Sequence, residues 1–211
     1  VLKENYRSRM DLTGLCDEAD VKLEVPGTVL LVLDMQDFFV SPDSHAFVPS
    51  APELVPVIQL LVKEFKHRGL PVIYTRHLNT HSNAQMMGRW WRDVLTADNP
   101  LSRIHTGFNT SDSSVIEKTQ YDAFYGTELN NLLEQLETTT VVITGVMTNL
   151  CCETTARSAF VRGYRVIMPV DGTVTMNMEL HKATTANLSH GFSKQMRVSS
   201  IFAGLKESDE H

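Results

Sequence analysis

A carboxylate, an ammonium and a thiol occupy comparable places in this sequence, each at or just after a short apolar run. Asp34 ends the run TVLLVLD that begins at Thr28, Lys118 ends a run that begins at Val115, and Cys151 follows TVVIT and the turn GVMTNL. Singly, each has an ordinary structural reading. A strand-end Asp is a common turn or cap residue, a lone Lys is usually a solvated surface group, and a Cys is often a small buried filler. Together they form a nucleophile, a proton acceptor and a charge stabiliser, the set that covalent catalysis at a carbonyl requires.

The densest segment is GVMTNLCCETTARSAF, with a strand, a Gly, a polar turn and then two cysteines where a helical period begins. A thiol at a helix N-terminus faces the positive end of the helix dipole, which is expected to lower its pKa. Of the two neighbours, Cys151 is assigned to the cleft and Cys152 to the packed side. Phe38, Phe39, Trp90 and Trp91 flank the expected cleft, the Trp pair lying between Arg89 and Arg92 in GRWWRDVL. They read either as an apolar wall with a basic group for an anionic substrate or as a packed helix with exposed arginines. Tyr121 and Phe124 in QYDAFYGTEL are further candidates for the lining, although aromatics after a strand more often fill the core.

These groups must be carried by an ordered scaffold, and the pattern indicates which. Thr28 to Asp34, Pro71 to Thr75, Thr140 to Thr144 and Arg165 to Val170 are apolar on both faces, as strands of a covered parallel sheet are. Helical spacing runs from Ala51 to Arg68 and stops at Gly69, then recurs from Thr127 to Leu136 and from Thr154 to Arg162 before Gly163. Val115 to Lys118 reads as a short strand, Met178 to His190 as a late helix, and Met196 to Ser199 as a last strand. The expected fold class is therefore α/β, a doubly wound and mostly parallel sheet with helices on both faces. Residues 1–27 read as an N-terminal arm, 28–200 as the α/β domain and 201–211 as a C-terminal tail. The stretch from Leu78 to Ser114 has no strand signal, as is common for binding loops and lids.

Composition excludes several classes. The formal charge of −6 comes from 25 acidic against 19 basic residues with no basic stripe, so nucleic acid and anionic membranes are not expected partners. No apolar run is long enough to span a bilayer. Three cysteines, two adjacent, make a poor disulfide framework and point to reduced thiols and a cytoplasmic setting. The first strand leads into DMQDFF rather than a glycine-rich phosphate loop, which argues against nucleotide binding.

Three segments, LDMQDFF, EKTQYDAFYGTEL and GVMTNLCCETTARSAFVRGY, resemble in order and interval the isochorismatase-like superfamily of cysteine hydrolases, which includes nicotinamidases and N-carbamoylsarcosine amidase. The resemblance runs from about Pro26 to Phe192. It implies an Asp-Lys-Cys triad of Asp34, Lys118 and Cys151. It also implies a cis peptide between Val146 and Met147, an oxyanion hole from the amides of Met147 and Cys151, and a homo-oligomer. The departures matter too. Nicotinamidases carry an Asp-x-His metal motif after the second strand, where this chain has Arg76, His77 and Leu78, so no metal or other cofactor is expected and His77 and His81 alone are weak ligands. Isochorismatases proper carry Gly where Cys151 stands, so the retained thiol points to C–N bond hydrolysis. Asn149 and Ser158 also depart from the family's usual residues, and Asn149 joins Phe39, Trp90, Trp91, Tyr121 and Phe124 as an expected substrate contact.

The expected function is thus hydrolysis of a small amide or carbamoyl compound through a Cys151 thioester. Two alternatives stay open. One is vinyl-ether hydrolysis with Asp34 as acid. The other is a non-catalytic thiol sensor or binding protein, because fold alone does not give function.

Overall fold

In the computed structural model, which describes residues 14–16, 23 and 25–207, the strand signals resolve into one sheet. Its strands are β1 (Thr28–Leu33), β2 (Val72–His77), β3 (Ser114–Lys118), β4 (Thr140–Val146), β5 (Arg165–Pro169), β6 (Thr173–Val174) and β7 (Lys194–Met196). The spatial order is β3-β2-β1-β4-β5-β7, with β6 paired to the end of β4. Every pairing is parallel. The chain steps outward from β1 through β2 to β3, then returns to place β4 on the other side of β1. Such a reversal opens a crevice beyond the carboxyl ends of the two central strands.

The helices are α1 (Asp37–Val40), α2 (Ala51–His67), α3 (Met87–Trp90), α4 (Leu129–Gln135), α5 (Glu153–Val161), α6 (Met178–Gly191) and α7 (Val198–Glu207). Both faces of the sheet are covered, and β1 shows why its run is continuously apolar. Leu30 and Val32 join a core with Leu54, Ile58 and Leu61 of α2 and Ile201 and Leu205 of α7. Val29, Leu31 and Leu33 join a second core with Leu129 and Leu133 of α4, Ala156 and Ala159 of α5, and Leu188 of α6. Side chains alternate across a strand, so six consecutive buried residues need an apolar partner on each side.

Two boundaries differ from the sequence expectation. The last strand ends at Met196, because the Asp171 carboxylate accepts the Val198 N–H at 2.8 Å and the chain turns there into α7. The stretch from residue 201, expected as a tail, continues α7 and buries Ile201 and Leu205. The two-residue strand β6 was too short to carry a periodicity signal. Most of the arm expected at residues 1–27 lies outside the described residues.

Candidate active site

The ends of three strands bring Asp34, Lys118 and Cys151 to one point. Asp34 follows β1 directly and sits at φ 52°, a left-handed conformation that an L-residue adopts only when its surroundings hold it there. Thr75, on the neighbouring β2, holds it by two hydrogen bonds. The Asp34 N–H donates to Thr75 Oγ1 at 3.1 Å, and the Thr75 hydroxyl donates to Asp34 Oδ1 at 2.6 Å. Gly145 on β4 lies directly opposite Leu33, and at φ 113° a Cβ there would fall 2.0 Å from the Leu33 carbonyl oxygen. Only Gly permits β1 and β4 to approach this closely beneath the site.

Lys118 ends β3, two strands from β1, and its side chain crosses the end of β2. Its Nζ lies 2.8 Å from Asp34 Oδ2, 3.4 Å from Cys151 Sγ and 2.8 Å from the Gln120 carbonyl oxygen. Both ion-pair side chains are fully buried, which is tolerable only because each charge faces its opposite and further hydrogen bonds satisfy the rest. Cys151 belongs to a π-helical turn, Thr148–Cys152, that runs straight into α5. The peptide between Val146 and Met147 is cis, as the resemblance implied. Cys151 lines the cavity, while its neighbour Cys152 packs into the second core.

The electrostatics correct one expectation. Cys151 was expected to be acidified by a helix N-terminus, but its thiol is pushed up to about 12, first by burial and then by the Asp34 carboxylate, against the pull of Lys118. Burial opposes the Asp34 charge too, yet Lys118, His77 and the thiol together bring its pKa below the ordinary value. Lys118 is raised despite burial because Asp34 and Cys151 both face it. One ammonium balances one anion in a buried site, and the more acidic carboxylate takes that place. Burial and the carboxylate thus favour the protonated thiol, and the ammonium favours the ionised carboxylate.

The cluster opens into a cavity of about 460 Å³, within the usual range for small-molecule sites. Of the expected contacts, Phe39, Trp90, Trp91, Tyr121 and Asn149 line it, together with Phe38 and Met147. Phe124 does not. It is buried in the second core, stacked on Tyr164 with centroids 6.2 Å apart and capped by the Arg162 guanidinium. The bland reading of that aromatic holds because the loop after β3 turns its ring toward the helices. Arg92 lies on the exposed rim, and Arg89 is not part of the lining. Ser158 donates to Asp122 at 2.7 Å on α5, outside the lining.

Several site residues carried no sequence signal of their own. Gln36 is fully buried, accepts the His77 N–H at 2.7 Å and donates to the Ser102 carbonyl, so it pins the strandless excursion to the end of β2. Beneath the cysteine turn, the Thr148 hydroxyl bonds to Thr173 Oγ1 at 3.1 Å and to His181 Nδ1 of α6 at 3.0 Å. At the rim His45 pairs with Asp93 at 3.1 Å. The residues do not fit the nicotinamidase type of metal site. His77 Nε2 is committed to Asn79 Oδ1 at 2.8 Å, His81 is exposed, and among the described residues no three His, Cys, Asp or Glu side chains converge to hold an ion.

Comparison with known proteins identifies the family. A family model described as the isochorismatase domain matches residues 28–200. Nicotinamidase 3 of Arabidopsis thaliana is 38% identical over 78% of this chain and 81% of its own length. N-carbamoylsarcosine amidase of an Arthrobacter species is 27% identical over 65% of this chain and 55% of its own length. Among solved structures, a cysteine hydrolase from Pseudomonas syringae pv. phaseolicola superposes with a TM-score of 0.85 at 23% identity, covering 89% of this chain and 96% of that one, a likeness of fold. Matched by the family model across most of its length and by a relative well above 30% identity, this chain belongs to the isochorismatase family of hydrolases.

Proposed function

We propose that this hydrolase cleaves the C–N bond of a small amide or carbamoyl compound through a thioester on Cys151. The observation that carries the reading is the buried contact of one ammonium, Lys118 Nζ, with both Asp34 Oδ2 and Cys151 Sγ. In this reading the neutral thiol gives its proton to Asp34 as sulfur attacks the carbonyl carbon, and Lys118 keeps the cluster balanced. The amides of Met147 and Cys151 receive the oxyanion. Asp34 then passes the proton to the leaving nitrogen, the C–N bond breaks, and the thioester remains. Water, giving a proton to Asp34, attacks the thioester. The acid departs and the thiol is restored with that proton.

The 38% identity to a nicotinamidase and the match to a carbamoyl amidase support amide chemistry, and a mostly apolar lining that includes the rings of Phe38, Phe39, Trp90, Trp91 and Tyr121 supports a flat, uncharged acyl group. The test is a screen of small amides, carbamoyl compounds and isochorismate against the wild type, Cys151→Ala and Cys151→Gly. Amide turnover lost in both variants supports the thioester route. Full turnover of the best substrate by Cys151→Gly overturns it in favour of vinyl-ether hydrolysis with Asp34 as acid. Two further expectations belong to the same proposal. Cys151 and Cys152, neither in a disulfide, suit a reducing cytoplasm. Phe160 and Val161, exposed at the end of α5, suit a homo-oligomer, and a monomeric mass by light scattering would exclude it.

A further inference from the structure

We propose that Tyr121, oriented by Trp91, is the hydrogen-bond donor that selects the substrate, so that the preferred acyl group carries an acceptor at a point remote from the scissile carbonyl. The proposal deepens the amide-hydrolase reading and rests on it for the position of the scissile bond. It starts from a single contact, Trp91 Nε1 to Tyr121 Oη at 2.8 Å. An indole N–H can only donate, so the Tyr121 oxygen is the acceptor, and the phenol's own proton must point elsewhere. Among the described residues nothing else is bonded to that hydroxyl. Both rings line the cavity, so the free O–H stands at its wall. Burial raises the Tyr121 pKa, so the group remains a donor at neutral pH.

Most of the remaining wall offers an acceptor no partner. Phe38, Phe39, Leu95, Met147 and Leu150 are apolar. His77 Nε2 is committed to Asn79, and the polar exceptions include Arg92 at the exposed rim and the Asn149 amide, whose Oδ1 accepts from the Thr175 hydroxyl and whose N–H donors are further partners an acceptor could meet. An acceptor on the acyl group would lose its water on entering this cavity and recover a partner at Tyr121. A purely apolar acyl group would instead cover the Tyr121 O–H and leave it unpaired. Sites built around a polar group discriminate against analogues that cannot pair with it, because the cost falls on the protein's own donor once the ligand covers it.

The experiment compares benzamide with the three pyridinecarboxamide isomers, which share its shape and place one ring acceptor ortho, meta or para to the amide. Wild type should prefer at least one isomer over benzamide in kcat/KM, and Tyr121→Phe should reduce that preference by roughly 3- to 10-fold, the value of one neutral hydrogen bond. Trp91→Phe should reduce it too, because the phenol is then free to turn and accept. A merely structural loss would slow all four amides alike and leave the ratio standing. A wild-type ratio near one, or a ratio unchanged in Tyr121→Phe, overturns the proposal. Calorimetric binding of the same four compounds to Cys151→Ala, with and without Tyr121→Phe, separates it from the amidase reading. The same preference in binding without wild-type turnover would retire the amidase reading and keep Tyr121 as selector. Neither binding nor turnover would retire both.

Discussion

Thr75 and Asp34 are joined twice, the Asp34 N–H donating to Thr75 Oγ1 and the Thr75 hydroxyl returning a bond to Asp34 Oδ1. The pair fixes the left-handed turn that leaves β1 and reserves Oδ2 for Lys118. Thr75→Val keeps the shape and removes both bonds. It should lower kcat by about 10- to 100-fold, a part of the ~10²- to 10⁴-fold that a positioned proton acceptor contributes. It should also move the acidic limb of the rate profile to higher pH, because a carboxylate that loses a donor is easier to protonate. An unchanged profile would show that Lys118 alone positions the carboxylate.

Charge balance around Lys118 leads to an inversion. Asp34→Asn should abolish amide turnover yet speed alkylation of Cys151 by iodoacetamide at neutral pH. The carboxylate raises the thiol pKa, and with it gone the ammonium is left to stabilise a thiolate. Peptide mapping of the modified Cys, with fully buried Cys152 as internal reference, reads the effect. Slower alkylation in Asp34→Asn would mean that the carboxylate serves chiefly to generate the thiolate.

The pH dependence of kcat/KM follows from the same groups. Asp34 must be ionised to accept a proton, and its pKa lies below the ordinary 3.8, so the acidic limb should fall below the usual carboxylate range. Cys151 remains a neutral thiol to about 12, and His77 is kept neutral mainly by its burial, so neither should bend the profile near neutrality. Stability carries the matching sign. Because the folded pKa of Asp34 is depressed, its contribution is present above the unfolded value of 3.8 and is lost as pH falls through the folded one. A rate limb near pH 6 to 7 in the free enzyme would assign proton transfer to a histidine instead.

Gly145→Ala should cost more than about 4 kcal/mol, in the class of substitutions that combine a forbidden backbone conformation with a core clash. The added Cβ would meet the Leu33 carbonyl oxygen at 2.0 Å, with φ at 113°. Denaturant midpoints, or a failure to recover soluble protein, measure it. Gly163→Ala, with open space around its Cβ but φ at 91°, should cost less and so serve as the comparison.

The sequence by itself determined the sheet and pointed to the three side chains that meet at its carboxyl edge. Runs such as TVLLVL must be buried on both faces, and a parallel α/β sheet is the arrangement that buries them. Strand ends then name Asp34 and Lys118, and the turn after TVVIT names Cys151, since a group at a carboxyl end reaches the crevice whatever lies between in the chain. Distances across strands were beyond it. Thr75, Gln36 and Gly145 act through neighbours that pairing brings near, with 41 residues separating Thr75 from Asp34. The direction of Phe124 toward the core rather than the cavity was likewise fixed by packing on Tyr164. The protonation state of Cys151 depended most on tertiary structure. The local cue, a thiol near a helix start, argued for a low pKa. Burial beside a carboxylate reversed it, because in a site without water the number of anions is set by the number of cations at hand, and Lys118 supplies one.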